Sequence, residues 1–271
     1  MKIIHMSDLH VGHEDLGDRF KTIAMNLIFE KGDKADEYVI IITGDLVDDA
    51  NNPDLNTQVK SSLKLLNDGG FKHILVIPGN HDYGSGSLAD KKFVKIFKET
   101  YYGKEINYPK TDIINNIAFI GLDSMAEELH WYDELWAQGE LGQKQLSDLD
   151  KILRSGEVKK CDGRVIYMHH HPFDPWPLHQ LKDSDDLKEV LTKVIKDGIP
   201  VDAILYGHNH SGKVHNGKWG IPRCYDAGTA TLKSRPKMLE KLPWFKEQAA
   251  IRVIDLDKKT PPFSDYVMDL L

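Results

Sequence analysis

The stretch KIIHMSDLH, residues 2–10, shows the pattern on which the fold depends: a short apolar run followed directly by a polar cluster. Runs of about four to six residues, rich in β-branched and aromatic side chains, are too short for a typical buried helix and indicate buried strands. Seven more runs of this kind follow: YVIIITGD (38–45), HILVIPGNHD (73–82), IAFIGLDS (117–124), RVIYMHHHP (164–172), AILYGHNH (203–210), RCYDAGT (223–229) and AIRVIDLD (250–257).

Stretches with helical periodicity separate these predicted strands. Within residues 20–29, apolar side chains recur at the i, i+3, i+4, i+7 spacing of an amphipathic helix. The alternation of strands and helices predicts an α/β fold. The helical stretches become fewer toward the C-terminus, which suggests a second, partly antiparallel sheet packed on the first. The other helical candidates are residues 59–66, 93–97, 146–153 and 187–195.

The composition fits one folded domain. The 271 residues are 41% hydrophobic and 28% charged, which is ordinary for a globular chain and enough to bury a sizeable core. We expect a single domain over residues 1–257 and a C-terminal tail over 258–271, because the pair Pro261-Pro262 prevents a continuous regular element there. The apolar end of the tail could pack on the domain or on a partner, including a second copy in a homo-oligomer.

The charge balance disfavours some classes of partner. The 35 basic and 42 acidic residues give a formal charge of −7, so we expect no binding to a long nucleic acid. We find no pattern of a secretory signal and no run near the roughly 20 apolar residues of a membrane span. Cys161 and Cys224 are far apart in sequence and predict no disulfide framework. These features predict a cytoplasmic protein without a membrane partner.

Five of the predicted strands end in residues that can bind metal ions. In a largely parallel sheet, the carboxyl ends of the strands lie along one edge, and ligand sites are found there. We therefore expect these polar clusters to face one another. In chain order they are Asp8-Leu9-His10, Gly44-Asp45, Gly79-Asn80-His81-Asp82, His169-His170-His171 and Gly207-His208-Asn209-His210.

The donor atoms of these clusters suit two divalent ions. Imidazoles and carboxylates without a thiolate suit Zn, Mn or Fe, and they exceed the three or four protein ligands of one zinc site. They fit two ions about 3.5 to 4 Å apart that share a carboxylate. The glycines before Asp45, Asn80 and His208 would let the backbone turn sharply. Each cluster alone also fits a turn, a helix cap or a solvated loop, but their ordered succession favours a metal site.

These blocks resemble the calcineurin-like metallophosphoesterases. That family carries D-x-H, G-D-x-x-D, G-N-H-[DE], a strand-terminal His and G-H-x-H in this order, and residues 8–210 contain all five blocks. The resemblance implies a four-layer α/β/β/α sandwich of two mixed sheets flanked by helices, with a two-metal centre. It also implies hydrolysis by attack of a metal-bridging hydroxide on phosphorus.

The resemblance assigns roles position by position. Asp8, His10 and His210 would hold one metal, and Asn80, His169 and His208 the other. Asp45 would bridge the two. His81 would contact the substrate phosphate or protonate the leaving oxygen, and Asp82 would orient the His81 ring. Asp48 and His13 would support the site.

Three consecutive histidines precede Pro172. Aligning this proline with the H-H-P-P or H-G-P-P block of relatives makes His169 the metal ligand, although counting from the strand alone leaves His170 open. His170 would then bind substrate, support a ligand or be structural, and the same alternatives hold for His171.

The HHHP block resembles the branch that hydrolyses small phosphodiesters, such as 3′,5′-cyclic nucleotides and glycerophosphodiesters. Serine/threonine phosphatases usually have Arg-Gly after G-D-x-x-D, whereas this chain has Asp49-Ala50. The alternatives are a phosphomonoesterase or nucleotidase of the same fold, and a catalytically silent binding scaffold. The complete ligand set disfavours the scaffold. We therefore predict a dinuclear phosphoesterase that acts on a small-molecule phosphoester.

Two aromatic stretches could contact the substrate. Residues 125–142 contain Trp131, Tyr132 and Trp136, which could stack on a nucleobase or pack over the sheet. Trp176 and His179 could lie at the rim of the site. Residues 232–245 mix basic and apolar side chains, which fits contact with a membrane or, better, a packed surface helix broken by prolines.

Overall fold

The computed structural model describes residues 1–86, 90–125, 138–173, 181–231 and 251–270. They form two five-stranded mixed sheets, flanked by helices, whose facing sides share one hydrophobic core. This confirms the predicted fold class. None of the helices in these ranges has the length and apolar character needed to cross a membrane.

The first sheet has the order β10-β9-β1-β2-β3. Strands β1, β2 and β3 are parallel, whereas β9 and β10 are antiparallel to their neighbours. The strand bounds are β1 Lys2–Met6, β2 Tyr38–Thr43, β3 Ile74–Ile77, β9 Ile251–Asp255 and β10 Tyr266–Met268.

The second sheet has the order β4-β5-β6-β7-β8, in which only the edge strand β4 is antiparallel to its neighbour. The expected second, partly antiparallel sheet is therefore present, but the C-terminal strand β9 does not belong to it and pairs with β1 of the first sheet. The bounds are β4 Lys110–Ile114, β5 Ile117–Gly121, β6 Gly163–Tyr167, β7 Ala203–Tyr206 and β8 Arg223–Asp226.

Six α-helices lie within the described residues and cover the outer faces of the sheets. The helices α1 and α2 contact each other over the first sheet, and α4 and α6 do so over the second. The bounds are α1 Leu16–Lys31, α2 Pro53–Asp68, α3 Lys91–Tyr102, α4 Gly142–Arg154, α5 Gly156–Lys159 and α6 Ser184–Lys196.

Alternation along the strands explains why the chain forms two sheets with buried faces. Successive side chains of a strand point to opposite faces. Thus Ile3 and Val39 belong to the core between the sheets, whereas Ile4 and Ile40 belong to the core under α1 and α2. Because both faces are covered, the strands read as continuous apolar runs rather than as alternating patterns.

The C-terminal segment is bound to the second sheet through a buried cation. The fully buried side chain of Arg223 on β8 pairs with Asp265 at 2.9 Å and packs over the Phe263 ring at 3.8 Å. Its guanidinium also donates to the backbone carbonyl of Asp255. Residues after 257 thus include strand β10 and contact both sheets.

We expect Arg223→Ala to lower the free energy of unfolding by about 3 to 5 kcal/mol, because it leaves the buried Asp265 carboxylate without its cation. Urea unfolding followed by circular dichroism measures this change. The exposed pair of Lys64 with Asp68 on α2 supplies the control, since Lys64→Ala removes a cation that lies in water. Equal effects of the two substitutions would show that the Arg223 pair does not hold the segment.

Candidate metal centre

The carboxyl ends of five strands meet at one edge of the sandwich. Strands β1, β2 and β3 of the first sheet and β6 and β7 of the second bring together all seven residues that the sequence suggested as metal ligands. They are Asp8, His10, Asp45, Asn80, His169, His208 and His210, and their contacts follow.

The first group consists of Asp8, His10 and His210. The Nε2 atoms of His10 and His210 are 3.1 Å apart, and His210 Nε2 is 3.1 Å from Asp8 Oδ1. One ligand atom from each residue lies within 4.8 Å of the others. Ligand atoms bound to one cation at about 2.1 Å are separated by distances of this order.

The second group consists of Asn80, His169 and His208. The Nε2 atom of His169 lies 3.0 Å from Asn80 Oδ1 and 3.2 Å from His208 Nδ1. His169 comes from the second sheet and Asn80 from the first, so this group joins the two sheets.

Asp45 lies between the two groups. Its Oδ2 is 3.8 Å from His10 Nε2 and 3.5 Å from His169 Nε2. Its Oδ1 accepts the backbone N–H of His81 at 2.9 Å, which fixes the carboxylate in this position. One carboxylate oxygen therefore faces both groups of ligands.

The hydrogen bonds of His169 show that this arrangement fits a cation. Its Nδ1 donates to the backbone carbonyl of Thr43 at 2.7 Å, since a carbonyl oxygen only accepts. The Asn80 amide nitrogen donates to the carbonyl of Gly86, so Asn80 Oδ1 is the atom that faces His169. In the neutral ring, the Nε2 lone pair then faces the oxygens of Asn80 and Asp45. A positive charge among these atoms, as a proton or a metal ion, relieves their repulsion.

Three of the buried ligands favour the protonation states that bind metal, whereas burial is outweighed at His169 by the carboxylates of Asp45 and Asp8, which raise its pKa. Burial raises the pKa of Asp45, but the fields of His169, His81 and His10 outweigh it and hold the pKa below its usual value. Burial opposes the shift at Asp8 too, yet His210 leads the contributions that keep its pKa low. Burial lowers the pKa of His10 to about 4. Charged carboxylates and a neutral imidazole are the metal-binding forms of these residues.

Five of the seven residues have a left-handed backbone conformation. Their φ angles are 54° at Asp8, 44° at His10, 50° at Asp45, 74° at His208 and 53° at His210. Non-glycine residues adopt this region rarely, and strain of order 1 to 3 kcal/mol per residue persists only where the surrounding structure imposes it. Such residues cluster at functional sites.

The glycines next to the ligands serve two purposes. Gly44 has a φ of +89°, as expected for a sharp turn before Asp45. Gly79 and Gly207 have no positive φ angle, so the conformational freedom expected for a sharp turn does not explain these two glycines. Instead, a Cβ on Gly79 would lie 2.3 Å from Asp45 Oδ1, and one on Gly207 would lie 1.9 Å from Ser7 Oγ. The absence of a side chain at these two glycines therefore lets Asp45 and Ser7 lie directly against the backbone.

His81 lies beside the two groups and is oriented by Asp48. Its Nδ1 donates to the backbone carbonyl of Asp48 at 2.6 Å, which leaves Nε2 as the other polar ring atom. The side chain of His81 is 19% exposed, whereas His10 and His169 are 1% and 0% exposed. His81 is therefore accessible where those two residues are not.

Asp82 does not orient the His81 ring, which corrects the expectation from sequence. Its carboxylate accepts the backbone N–H groups of Leu46, Val47 and Gly79 instead. Burial, reinforced by the charge of Asp45, raises the pKa of Asp82 to about 7. Asp82 thus holds the backbone around Asp45 and acts as support for the site.

The other supporting residues also have defined places. Asp48 lies 3.3 Å from His10 Nδ1 and 3.7 Å from His13 Nδ1. His170 is fully buried and lies 2.8 Å from Ser124 Oγ. His171 packs against the ring of Tyr206.

Sequence reasoning missed Thr43 and Ser124. Thr43 acts through its backbone carbonyl, and no side-chain pattern reveals that. Ser124 ends a predicted strand, as the ligands do, so its position was a usable signal.

The aromatic residues at 131, 132, 136, 176 and 179 and the segment 232–245 lie outside the described residues.

Comparison with known proteins supports one family. The sequence profile of the calcineurin-like phosphoesterases matches residues 1–212. A sequence search of curated proteins gives no match. Purple acid phosphatase PPD1 from yellow lupin has a similar structure, with a TM-score of 0.56 at 14% identity over 94% of this chain and 48% of that chain.

Two further solved structures share the fold. A 5′-nucleotidase from Candida albicans gives a TM-score of 0.56 at 10% identity over 100% of this chain and 52% of that one. GAP50, the anchor in the inner membrane complex of Plasmodium, gives 0.53 at 15% identity over 88% and 75% of the two chains. The chain spans about half the length of the phosphatase and the nucleotidase. At these identities the likeness shows the fold alone.

The family profile covers all five strand-end clusters in the order expected from the sequence, and the fold agrees with it. The chain therefore belongs to the calcineurin-like phosphoesterase family, whose members hydrolyse phosphoester bonds with divalent metal ions.

Proposed function

We propose that the protein is a dinuclear metal-dependent phosphodiesterase that hydrolyses small phosphodiesters. Asp8, His10 and His210 would hold one ion, and Asn80, His169 and His208 the other. The observation that carries this proposal is the position of Asp45, whose Oδ2 faces both groups of ligands. A single closed site would not need a carboxylate shared between two such groups.

The residues of the chain support a division of roles in hydrolysis. Two bound ions of the Mn, Fe or Zn type would supply charge neutralisation at the phosphate and activation of the attacking water. His81 binds the phosphate and donates a proton from Nε2 to the leaving oxygen, because Nδ1 is engaged by the carbonyl of Asp48. Asp48 positions His81 through its backbone carbonyl and His10 through its carboxylate. Asp82 holds the backbone after β2.

Small diesters are the proposed substrates for two reasons. The sequence HHHP at residues 169–172 resembles the branch of the family that acts on 3′,5′-cyclic nucleotides and glycerophosphodiesters. The formal charge of −7 disfavours a long nucleic acid as substrate. The purple acid phosphatase and the 5′-nucleotidase of similar fold make a phosphomonoester the principal alternative.

We expect metal-dependent hydrolysis of bis(p-nitrophenyl) phosphate to exceed that of p-nitrophenyl phosphate. The measurement is release of p-nitrophenol by chelator-stripped protein after addition of Mn²⁺, Fe²⁺ or Zn²⁺, with Asn80→Ala as the inactive control. Faster hydrolysis of the monoester would indicate that the protein is a phosphatase or nucleotidase and not a phosphodiesterase. Absence of hydrolysis with two ions bound would favour a binding scaffold.

We expect Asp45→Asn and His81→Ala to fail in different ways. Loss of the shared carboxylate should remove metal and activity together. Loss of His81 should lower kcat by about 10² to 10⁴-fold, as expected for a general acid, with metal content unchanged. Kinetics together with elemental analysis of the purified variants distinguish the two outcomes.

Matched controls for these variants lie away from the site. Asp185 on α6 has a 98% exposed side chain, and His73 precedes β3 at the end opposite the site. Asp185→Asn and His73→Ala should therefore keep both metal and activity. Full activity of His81→Ala on every ester tested would contradict the role given to His81.

A further inference from the structure

His170 is held in a fixed position although it belongs to neither group of ligands. Its backbone N–H donates to Ser124 Oγ at 3.2 Å, and its ring Nδ1 lies 2.8 Å from the same oxygen. The residue is fully buried. Ser124 follows β5, so this contact ties the end of β5 to the end of β6.

The ring of His170 packs against two of the proposed ligands. Its centroid lies 4.4 Å from that of His208 and 5.1 Å from that of His169. The ring centroids of His169 and His208 are 5.0 Å apart. The His169 ring is also oriented by the carbonyl of Thr43. The face that His170 presents to His208 therefore restricts how the His208 ring can turn.

The backbone of Gly139 also packs against the ring of His170. A Cβ on Gly139 would lie 2.4 Å from Cγ and 2.5 Å from Nδ1 of the His170 ring, closer than real atoms approach. The backbone here is fixed by the hydrogen bond from Glu140 N–H to the carbonyl of Ser124 at 2.8 Å. His170 is thus packed against both Gly139 and His208, so a side chain added at Gly139 would displace the ring that contacts His208.

We infer that His170 is a positioning residue that sets the ring of His208 for metal binding, and that Gly139 and Ser124 fix His170 in turn. This inference rests on the proposed two-metal site. Rotation of the His208 ring would carry Nδ1 away from His169 Nε2, now 3.2 Å distant. Partners that orient a metal-binding histidine typically change metal affinity by about 10- to 100-fold when they are altered.

Gly139→Ala tests this inference because it disturbs His170 without changing a ligand. Gly156→Ala is the matched control, since no atom lies within 4 Å of the Cβ it would add. Chelator-stripped wild type and both variants are titrated with Mn²⁺, and free Mn²⁺ is measured by electron paramagnetic resonance. We expect two equivalents for wild type and Gly156→Ala, and one of the two bound about 10- to 100-fold more weakly by Gly139→Ala.

A second variant and a kinetic readout keep the inference testable if Gly139→Ala does not fold. Ser124→Ala removes the hydroxyl that holds His170 and should weaken the same equivalent of Mn²⁺. Circular dichroism of the metal-free proteins checks folding. For both variants, saturating Mn²⁺ should restore kcat toward the wild-type value, because the defect lies in metal binding.

The outcomes separate this inference from the proposed function. If wild type binds two equivalents and Gly139→Ala and Ser124→Ala bind them as tightly, His170 does not position His208. Full metal binding with a lasting loss of kcat/KM would instead make His170 a substrate contact. Fewer than two equivalents in wild type would overturn the two-metal proposal and this inference with it.

Discussion

The carboxylate of Asp45 is the contact on which the site depends. Its Oδ2 faces His10 from the first sheet and His169 from the second, while Oδ1 is held by the backbone of His81. A buried carboxylate is costly unless positive charge or hydrogen bonds compensate it. The positive fields of the histidines around Asp45 outweigh this cost and lower its pKa. A metal ion in the same place would supply the same positive charge, which makes this edge of the sandwich suitable for cations.

The ends of the strands are strained, and polar contacts hold them in place. Asp8, His10 and Asp45 all have left-handed backbone angles that cost energy in most settings. The Asp82 carboxylate binds three backbone N–H groups near Asp45, and the Thr229 hydroxyl donates to the carbonyl of Asp8. The sheets fix where each strand ends, and these hydrogen bonds fix the direction in which the ligand side chains point.

Much of the fold and of the site follows from local patterns. Short apolar runs that end in Asp, Asn or His predicted eight of the described strands, because strands buried on both faces read as continuous apolar segments. The same runs placed all seven proposed ligands at strand ends. The edge strand β4 was missed because its residues are largely polar, and the pairing of β9 with β1 was missed because it joins residues about 250 positions apart, a distance no local pattern covers.

The contacts around the ligands were harder to predict than the ligands themselves. Asp82 is adjacent to His81 in sequence, yet its carboxylate turns to the backbone beyond β2, and the carbonyl of Asp48 orients the His81 ring. Gly207 is required by the approach of Ser7, a residue on the other sheet. Such contacts depend on how the two sheets pack, so they become visible only in three dimensions.

The most direct test of the two-metal centre is anomalous X-ray scattering from crystals of the protein grown with Mn²⁺. We expect two peaks, one in contact with Asp8, His10 and His210 and the other with Asn80, His169 and His208, with Asp45 in contact with both. A single peak, or peaks at other residues, would contradict the two-metal centre on which the proposed function rests.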